Sequence, residues 1–422
     1  MIKKFFSSSL FKSAGIFTIA NIFNASIPFL LLPVLTRYLS PEEFGVYSMF
    51  KVFVGLVFSV IGIGINGAIT RMYYEKDDID FPSYIGNSVI LVTISTTIIF
   101  LLFAVAPDFI SSISSLPNSW IWLIIVTSYG KVLFQLILVV WQVKFRPISF
   151  GLFQVSQTVI NFAISLVFVI SLYMGWKGPI LAEAISFGLF GLFSLLFLRK
   201  NKSLSFNLNK QYMKHALKFG IPLIPHVLGM YIITASDRFF INNMVGVYEV
   251  GIYATGYQVG MILMILQDSF NKAWVPWLFE RLKENDFEFK RKIVKITYVY
   301  FVTILFIAFI LSLLSPWLLS FLVGEEYRNA SVYIAWLAFG YAFNGMYKMV
   351  TNYIFYVEKT IYLAYVTGVT AIINIGLNFL LIKMNGAVGA SQATMIAYMI
   401  SFILTWLISS RAFKMPWLPN KN

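Results

Sequence analysis

Apolar runs of about 20 residues recur along the whole chain, separated by short polar stretches. They lie near 13–35, 44–66, 84–106, 119–140, 150–172, 179–198, 216–235, 250–270, 293–314, 331–356, 361–382 and 388–410. Each is long enough to cross about 30 Å of hydrocarbon as a helix. The runs lack the alternation of membrane-barrel strands. No polar stretch between them is long enough for a soluble domain. The pattern predicts an all-α polytopic membrane protein with about twelve transmembrane helices.

Composition narrows the function classes. Apolar residues make up 59% of the 422 residues and charged ones 12%, against about 25% charged in ordinary globular domains. A soluble enzyme, a disordered chain and a DNA-binding module are excluded. There is no cysteine, so disulfides and thiolate metal sites are excluded too. His215 and His226 form no cluster, so no metal and no cofactor is expected. No P-loop pattern is present, so ATP is not the expected energy source.

The net charge of +14 acquires its meaning from where the charges sit. An even number of spans puts both termini on one side. With that side cytoplasmic, 24 of the 32 Lys and Arg fall in cytoplasmic segments and 5 on the opposite face. This is a positive-inside bias. The excess charge therefore reads as topology and contact with anionic lipid, with no nucleic-acid partner. The first run is too long for a signal peptide, lacks a small-x-small cleavage site and is followed by Arg37, so it reads as a retained first helix.

The chain repeats itself. Glu43-Phe44-Gly45-Val46-Tyr47 matches Glu249-Val250-Gly251-Ile252-Tyr253, and Val159-Ile160-Asn161 matches Ile372-Ile373-Asn374 at a similar offset. Two six-helix lobes are expected, 1–198 and 216–422, joined by a cytoplasmic linker 199–215 that reads as a solvated loop. Because six is even, the lobes are parallel repeats related by a pseudo-two-fold axis along the membrane normal, around a central cavity. Pro28, Pro33, Pro222 and Pro225 interrupt the first helix of each lobe, where a kink suits bending. Gly62, Gly64 and Gly67 do the same in the second span, or allow close packing.

Thr36-Arg37-Tyr38-Leu39, followed by Pro41-Glu42-Glu43-Phe44-Gly45-Val46-Tyr47, resembles the first-loop pattern of bacterial lipid-linked oligosaccharide flippases. These are the O-antigen and capsule repeat-unit translocases of the multidrug/oligosaccharidyl-lipid/polysaccharide exporter superfamily. Lys218-Phe219-Gly220-Ile221-Pro222, Asp237-Arg238-Phe239 and Gly386-Ala387-Val388-Gly389-Ala390 are similar to the same family. The resemblance implies translocation of undecaprenyl-pyrophosphate-linked oligosaccharide from the cytoplasmic to the periplasmic leaflet of the inner membrane. Polysaccharide polymerase and chain-length proteins are its implied partners.

An ionisable group at membrane depth is costly unless it meets water or a partner. Lys51, Lys131 and Lys348 fall inside spans, so the deepest charges are expected to be lysines. That suits a pyrophosphate head group, with Arg37 and Arg71 at the ends of the first helix pair handing it in and out. Lys51 is shallow enough to snorkel instead. Glu183, Asp237 with Arg238, and Asp268 are candidate gate or coupling groups. The alternatives are a local ion pair capping the helix end at Asp237–Arg238 and a surface i,i+4 pair of Asp268 with Lys272. Asn21 with Asn24, Gln154 with Gln157, and Gln258 suit sugar hydroxyls in a cavity; hydrogen bonds between helices are the equal alternative for Asn21, Asn24 and Gln258 and the favoured one for Gln154 and Gln157. A drug/cation antiporter of the same superfamily is the second reading; it would need deep carboxylates, and the expectation of lysines as the deepest charges argues against it. A membrane enzyme is the third, and nothing here resembles a catalytic site.

Overall fold

The computed structural model of the chain describes residues 29–284, 286–359 and 361–417. Every regular element among them is helical, as it must be where backbone groups in hydrocarbon close their hydrogen bonds within one segment. In chain order these are α1 (Phe29–Tyr38), α2 (Pro41–Ile61), α3 (Ile65–Tyr73), α4 (Phe81–Val105), α5 (Pro107–Ser114), α6 (Trp122–Val143), α7 (Pro147–Leu166) and α8 (Lys177–Lys200). They continue with α9 (Lys210–Gly220), α10 (Ile224–Met244), α11 (Val247–Lys283), α12 (Phe287–Leu322), α13 (Ser331–Tyr356), α14 (Ile361–Asn385) and α15 (Val388–Ala412).

Among the described residues, nine helices are long and apolar enough to cross a membrane, and the bent pair Lys210–Gly229 and Tyr231–Met244, which takes in α9 and α10, makes a tenth if taken as one span. Helix α13 coincides with the predicted run 331–356, but its tyrosines, asparagines and Lys348 dilute its apolarity. Of the first run, α1 contains Pro33; Asn21, Asn24 and Pro28 lie outside the described residues.

Element bounds depart from the apolar runs where polar residues extend or break a helix. The second run is broken: Ile63 and Gly64 adopt left-handed backbone, at φ 43° and 59°, ending α2 and starting α3. A Cβ on Gly64 would lie 3.1 Å from the Gly220 Cα, and one on Gly67 3.0 Å from the Phe219 ring. The missing side chains let α3 approach α9. Helices α11 and α12 run 37 and 36 residues, about 55 Å at 1.5 Å per residue. That exceeds the hydrocarbon thickness, and the excess consists of basic and acidic turns that an apolar run does not register.

The chain divides into two compact units, Met1–Tyr231 and Ile232–Asn422. The division falls inside α10. In unit 1, α6 and α8 cross closely: a Cβ on Gly130 would sit 2.6 Å from the Phe187 carbonyl oxygen, and one on Gly191 2.8 Å from that of Gly130. Small residues of this kind let helices pack where no water drives them together. The Ser128 hydroxyl donates to the Val54 carbonyl at 3.1 Å, tying α6 to α2. In unit 2, Gly256 and Gly260 bring α11 against Ala330, Tyr333 and α13, and a Cβ on Gly340 of α13 would lie 3.2 Å from the Met395 Cα.

The segment expected to be a solvated loop is a strap fixed along α4. Asn87, 1% exposed, donates through Nδ2 to the Asn207 carbonyl at 2.8 Å. Its Oδ1 accepts from the Asn209 amide at 3.0 Å. The Ser205 amide donates to the Pro82 carbonyl at 3.0 Å. Lys144 at the end of α6 donates to the Ser203 hydroxyl at 3.1 Å. Burial there pushes the Lys144 ammonium below the ordinary lysine range, and Arg146 adds to the effect. A buried amide that gains two backbone partners holds extended chain as a neighbouring strand would.

Candidate functional site

One face of α2 carries Glu43, Tyr47, Lys51 and Phe58, spaced at four, four and seven residues. Ser40 and Glu43 form a capping box at the helix start, with hydrogen bonds of 3.1 and 3.2 Å. The second Glu43 oxygen accepts from the Trp176 amide at 3.3 Å. One turn further, the Tyr47 hydroxyl donates to Glu183 of α8 at 3.3 Å. Both side chains are buried. The Lys51 ammonium lies 5.4 Å from the centre of the Tyr47 ring and is exposed. Lys131, half-buried midway along α6, stands between two rings, 5.3 Å from Phe58 and 5.7 Å from Phe187. The Gly130–Gly191 crossing one residue away brings Phe187 into this frame. Among the described residues Lys131 has no carboxylate within ion-pair distance. A half-buried cation framed by rings and without an ion-pair partner among the described residues can pair with an anion.

Unit 2 has its own polar cluster. Asp237 on α10 is 1% exposed. It accepts from the Tyr253 hydroxyl of α11, from the Arg238 amide at 2.7 Å and from the Arg238 guanidinium at 3.4 Å. That guanidinium also reaches the Thr234 carbonyl at 2.5 Å and lies over the Tyr257 ring at 4.3 Å. The pair does not cap a helix end, because α10 runs on to Met244, about 10 Å further. Beside it, the Ser236 hydroxyl donates to Asn374 at 3.0 Å, and Asn378 donates to Asn374 at 3.1 Å. Both amides are buried, and the Asn374 nitrogen and Asn378 oxygen have no partner. Unpaired buried amides cost on the order of 1–3 kcal/mol each.

Three expectations change. Asp268 pairs with Lys348 across α11 and α13, not with Lys272 one turn along its own helix. Lys348 is therefore neutralised and does not stand as an unpaired cation. The most buried charges are not lysines: Glu183 and Asp237 are 7% and 1% exposed, whereas Lys51 is exposed and Lys131 half-buried. The argument against an antiporter from missing deep carboxylates is thereby lost.

The remaining candidates are placed as follows. Gln157 donates to Ser186 at 3.1 Å and joins α7 to α8, so it serves helix packing. The Gln154 side-chain oxygen is buried without a partner. Gln258 is half-buried on α11 and has a partner. Arg71 is exposed and pairs with Glu75 at 2.6 Å. Arg37 is exposed near the end of α1. The tyrosines that hold the carboxylates, Tyr47 and Tyr253, were not singled out from sequence, although they end the two copies of the repeated Glu-x-Gly-x-Tyr motif. That repetition is the signal that points to them.

A family model described as "Polysaccharide biosynthesis protein" matches residues 10–282, and one described as "MatE" matches residues 222–380. An uncharacterised membrane protein of Haemophilus influenzae is 29% identical over 87% of this chain and 89% of its own length. The probable low-salt glycan biosynthesis flippase Agl15 of Haloferax volcanii is 21% identical over 92% of this chain and 80% of its own. The structure of the lipid II flippase MurJ in an inward-closed conformation superposes with a TM-score of 0.75 at 16% identity, covering 94% of this chain and 87% of that one. The all-helical, polytopic fold expected from the apolar runs is the fold found.

Proposed function

The chain belongs to the polysaccharide biosynthesis protein family, and from that premise we propose that it is a flippase for lipid-linked glycans. Its cargo is undecaprenyl-pyrophosphate-linked oligosaccharide, moved by alternating access from the cytoplasmic to the periplasmic leaflet of a bacterial inner membrane. The repeat units serve O-antigen, capsule or exopolysaccharide synthesis. Both termini are cytoplasmic.

The observation that carries this reading is Lys131: a cation at membrane depth, framed by Phe58 and Phe187 and without a carboxylate among the described residues. A pyrophosphate that leaves water needs such a charge to lower its desolvation barrier. Outward movement of a negative head group is assisted by the membrane potential, about 2.3 kcal/mol per charge per 100 mV. Sugar rings stack on aromatic faces through their C–H edges, and Phe58 and Phe187 supply such faces beside the cation. The test is to deplete the protein and measure lipid-linked repeat units accessible from the cytoplasmic side. Their accumulation supports the reading; unchanged levels reject it.

A second reading is favoured by one specific observation, the buried Asp237 held by Tyr253 and Arg238. A buried carboxylate that exchanges partners with protonation state is what ion coupling needs. We assign Asp237 this coupling role within the flippase. Should depletion change drug sensitivity and leave lipid-linked intermediates untouched, Asp237 would instead belong to a drug/cation antiporter.

A further inference from the structure

Helix α9 and the turn after it present two rows of side chains that are exposed or half-exposed among the described residues. Lys210, Lys214 and Lys218 recur every four residues and are exposed. Met213, Leu217 and Ile221 form the adjacent row at the same spacing, so the two run side by side along the helix. Together they line an open cleft of about 660 Å³. The opposite side of α9 is docked. The Asp80 amide donates to the Tyr212 hydroxyl at 3.0 Å, His215 meets the Tyr84 hydroxyl at 3.0 Å, and Ala216 is 2% exposed.

Charge and polarity both identify what the open face meets. Residues 210–220 contain no Asp or Glu. The turn joining α3 to α4, beside α9, carries four carboxylates: Glu75 pairs with Arg71, Asp80 caps α4 through Ser83, and Asp77 and Asp78 are exposed and pair with no lysine of α9. No ion pair among the described residues neutralises the three lysines. The strap leading into the helix adds Phe206 and Leu208, 47% and 74% exposed. In water the lysines would be satisfied and the apolar row would not; in hydrocarbon the reverse holds. A bilayer surface with anionic head groups satisfies both rows at once.

We propose that α9 is a docking site for anionic bilayer phospholipid, with the phosphate on the lysine row and the first acyl carbons on Met213, Leu217 and Ile221. The site is independent of the cargo assignment, since it concerns the resident lipid at the membrane surface and not the translocated one. By anchoring α9 it also anchors the strap, which Asn87 ties to α4.

The chain has no cysteine, so Leu217→Cys accepts a single environment-sensitive fluorophore on the full-length protein in vesicles. The quenchers are brominated phosphatidylglycerol and brominated phosphatidylcholine, each at 30 mol% of the vesicle lipid. The expected result is quenching at least about tenfold more efficient by phosphatidylglycerol at low salt, weakened at high salt as screening predicts. K210A/K214A/K218A should abolish the preference, at about fivefold per lysine, while the matching triple arginine variant keeps it. Equal quenching by the two lipids overturns the proposal, as does a preference that survives the triple alanine variant. Displacement by inorganic phosphate at millimolar concentration overturns it in favour of a free-anion site, and displacement by an acidic peptide in favour of a protein partner. If the alanine variant does not fold, the salt dependence with the native lysines decides alone: a preference unchanged by salt rejects the site.

Discussion

The Tyr253 hydroxyl donates to the buried carboxylate of Asp237, and Tyr47, its counterpart in the repeated motif, donates to Glu183. The motif thus supplies a hydroxyl to a buried acid in each unit, but the acid comes from different places: α10 in unit 2 and α8 in unit 1. What is repeated is the donor. Replacing Tyr253 with Phe removes it from a carboxylate that is 1% exposed, leaving the Arg238 contacts to carry the charge. The expected loss is about 1–3 kcal/mol of stability, read as a lowered melting temperature of the purified protein in detergent. Tyr47→Phe should cost a similar amount, and Asp237→Asn together with Tyr253→Phe should cost less than the two changes summed, because they remove one interaction.

The Asp268–Lys348 pair joins α11 to α13, and a turn further Asn352 donates to Asn271 at 3.0 Å. Asp268 is 42% exposed and Lys348 23%, so solvent screens the pair and its coupling should stay near 1 kcal/mol or below. A double-mutant cycle on thermal stability with Asp268→Asn and Lys348→Gln measures it. The charge-swapped variant D268K/K348D should recover most of the stability lost in either single charge reversal; failure to recover would mean that the surroundings and not the pair fix these side chains.

Helix type and the place of most spans were legible because a membrane span is a one-dimensional signal: length of apolar run against bilayer thickness. Side-chain partnership was not. Lys272 stands four residues from Asp268, the best helical neighbour available, but the actual partner lies 80 residues away on another helix, and spacing along one helix carries no trace of it. Lys131 was legible as a deep cation; its ring frame was not, since Phe58 and Phe187 arrive from α2 and α8. The strap failed for a related reason. Ser203, Ser205, Asn207 and Asn209 look solvated in sequence, and only the buried Asn87 across from them makes their backbone structural.

Asn87→Ala should release that strap. The substitution deletes the hydrogen bonds to the Asn207 carbonyl and the Asn209 amide and leaves both backbone groups to find water. Amide exchange at residues 205–209 should accelerate by at least about tenfold, while exchange in α6 and α8 is unchanged. Hydrogen–deuterium exchange by mass spectrometry resolves the two regions. Asn87→Asp, which keeps the acceptor and loses the donor, should fall between.

Orientation rests on the 24:5 distribution of Lys and Arg. Reporter fusions after Lys200 and after Asn422 should both behave as cytoplasmic, giving high activity with a cytoplasm-active reporter and none with a periplasm-active one. The opposite result at both sites would invert the protein and place α9 on the outer surface; a split result would mean an odd number of spans between the sites.

Lys131→Ala should abolish or strongly impair translocation while leaving the fold intact, since the side chain makes no ion pair among the described residues whose loss would strand a buried partner. Lys131→Arg should keep substantial activity, because it restores the cation between the two rings with a group that also stacks on aromatic faces. Lys131→Gln should rescue poorly, because it restores polarity without charge. A purely structural lysine gives a different order, with Gln close to wild type and Ala reporting only lost packing. The measurement is the accumulation of cytoplasm-facing lipid-linked repeat units in each variant at matched expression. Lys348→Ala is the internal contrast: its charge is already met by Asp268, so its defect should be one of stability, corrected at lower temperature, whereas the Lys131 defect should persist. If Lys131→Ala flips normally and Asp237→Asn is dead, the cation at depth is not the head-group site, and coupling at Asp237 becomes the chemistry on which transport depends.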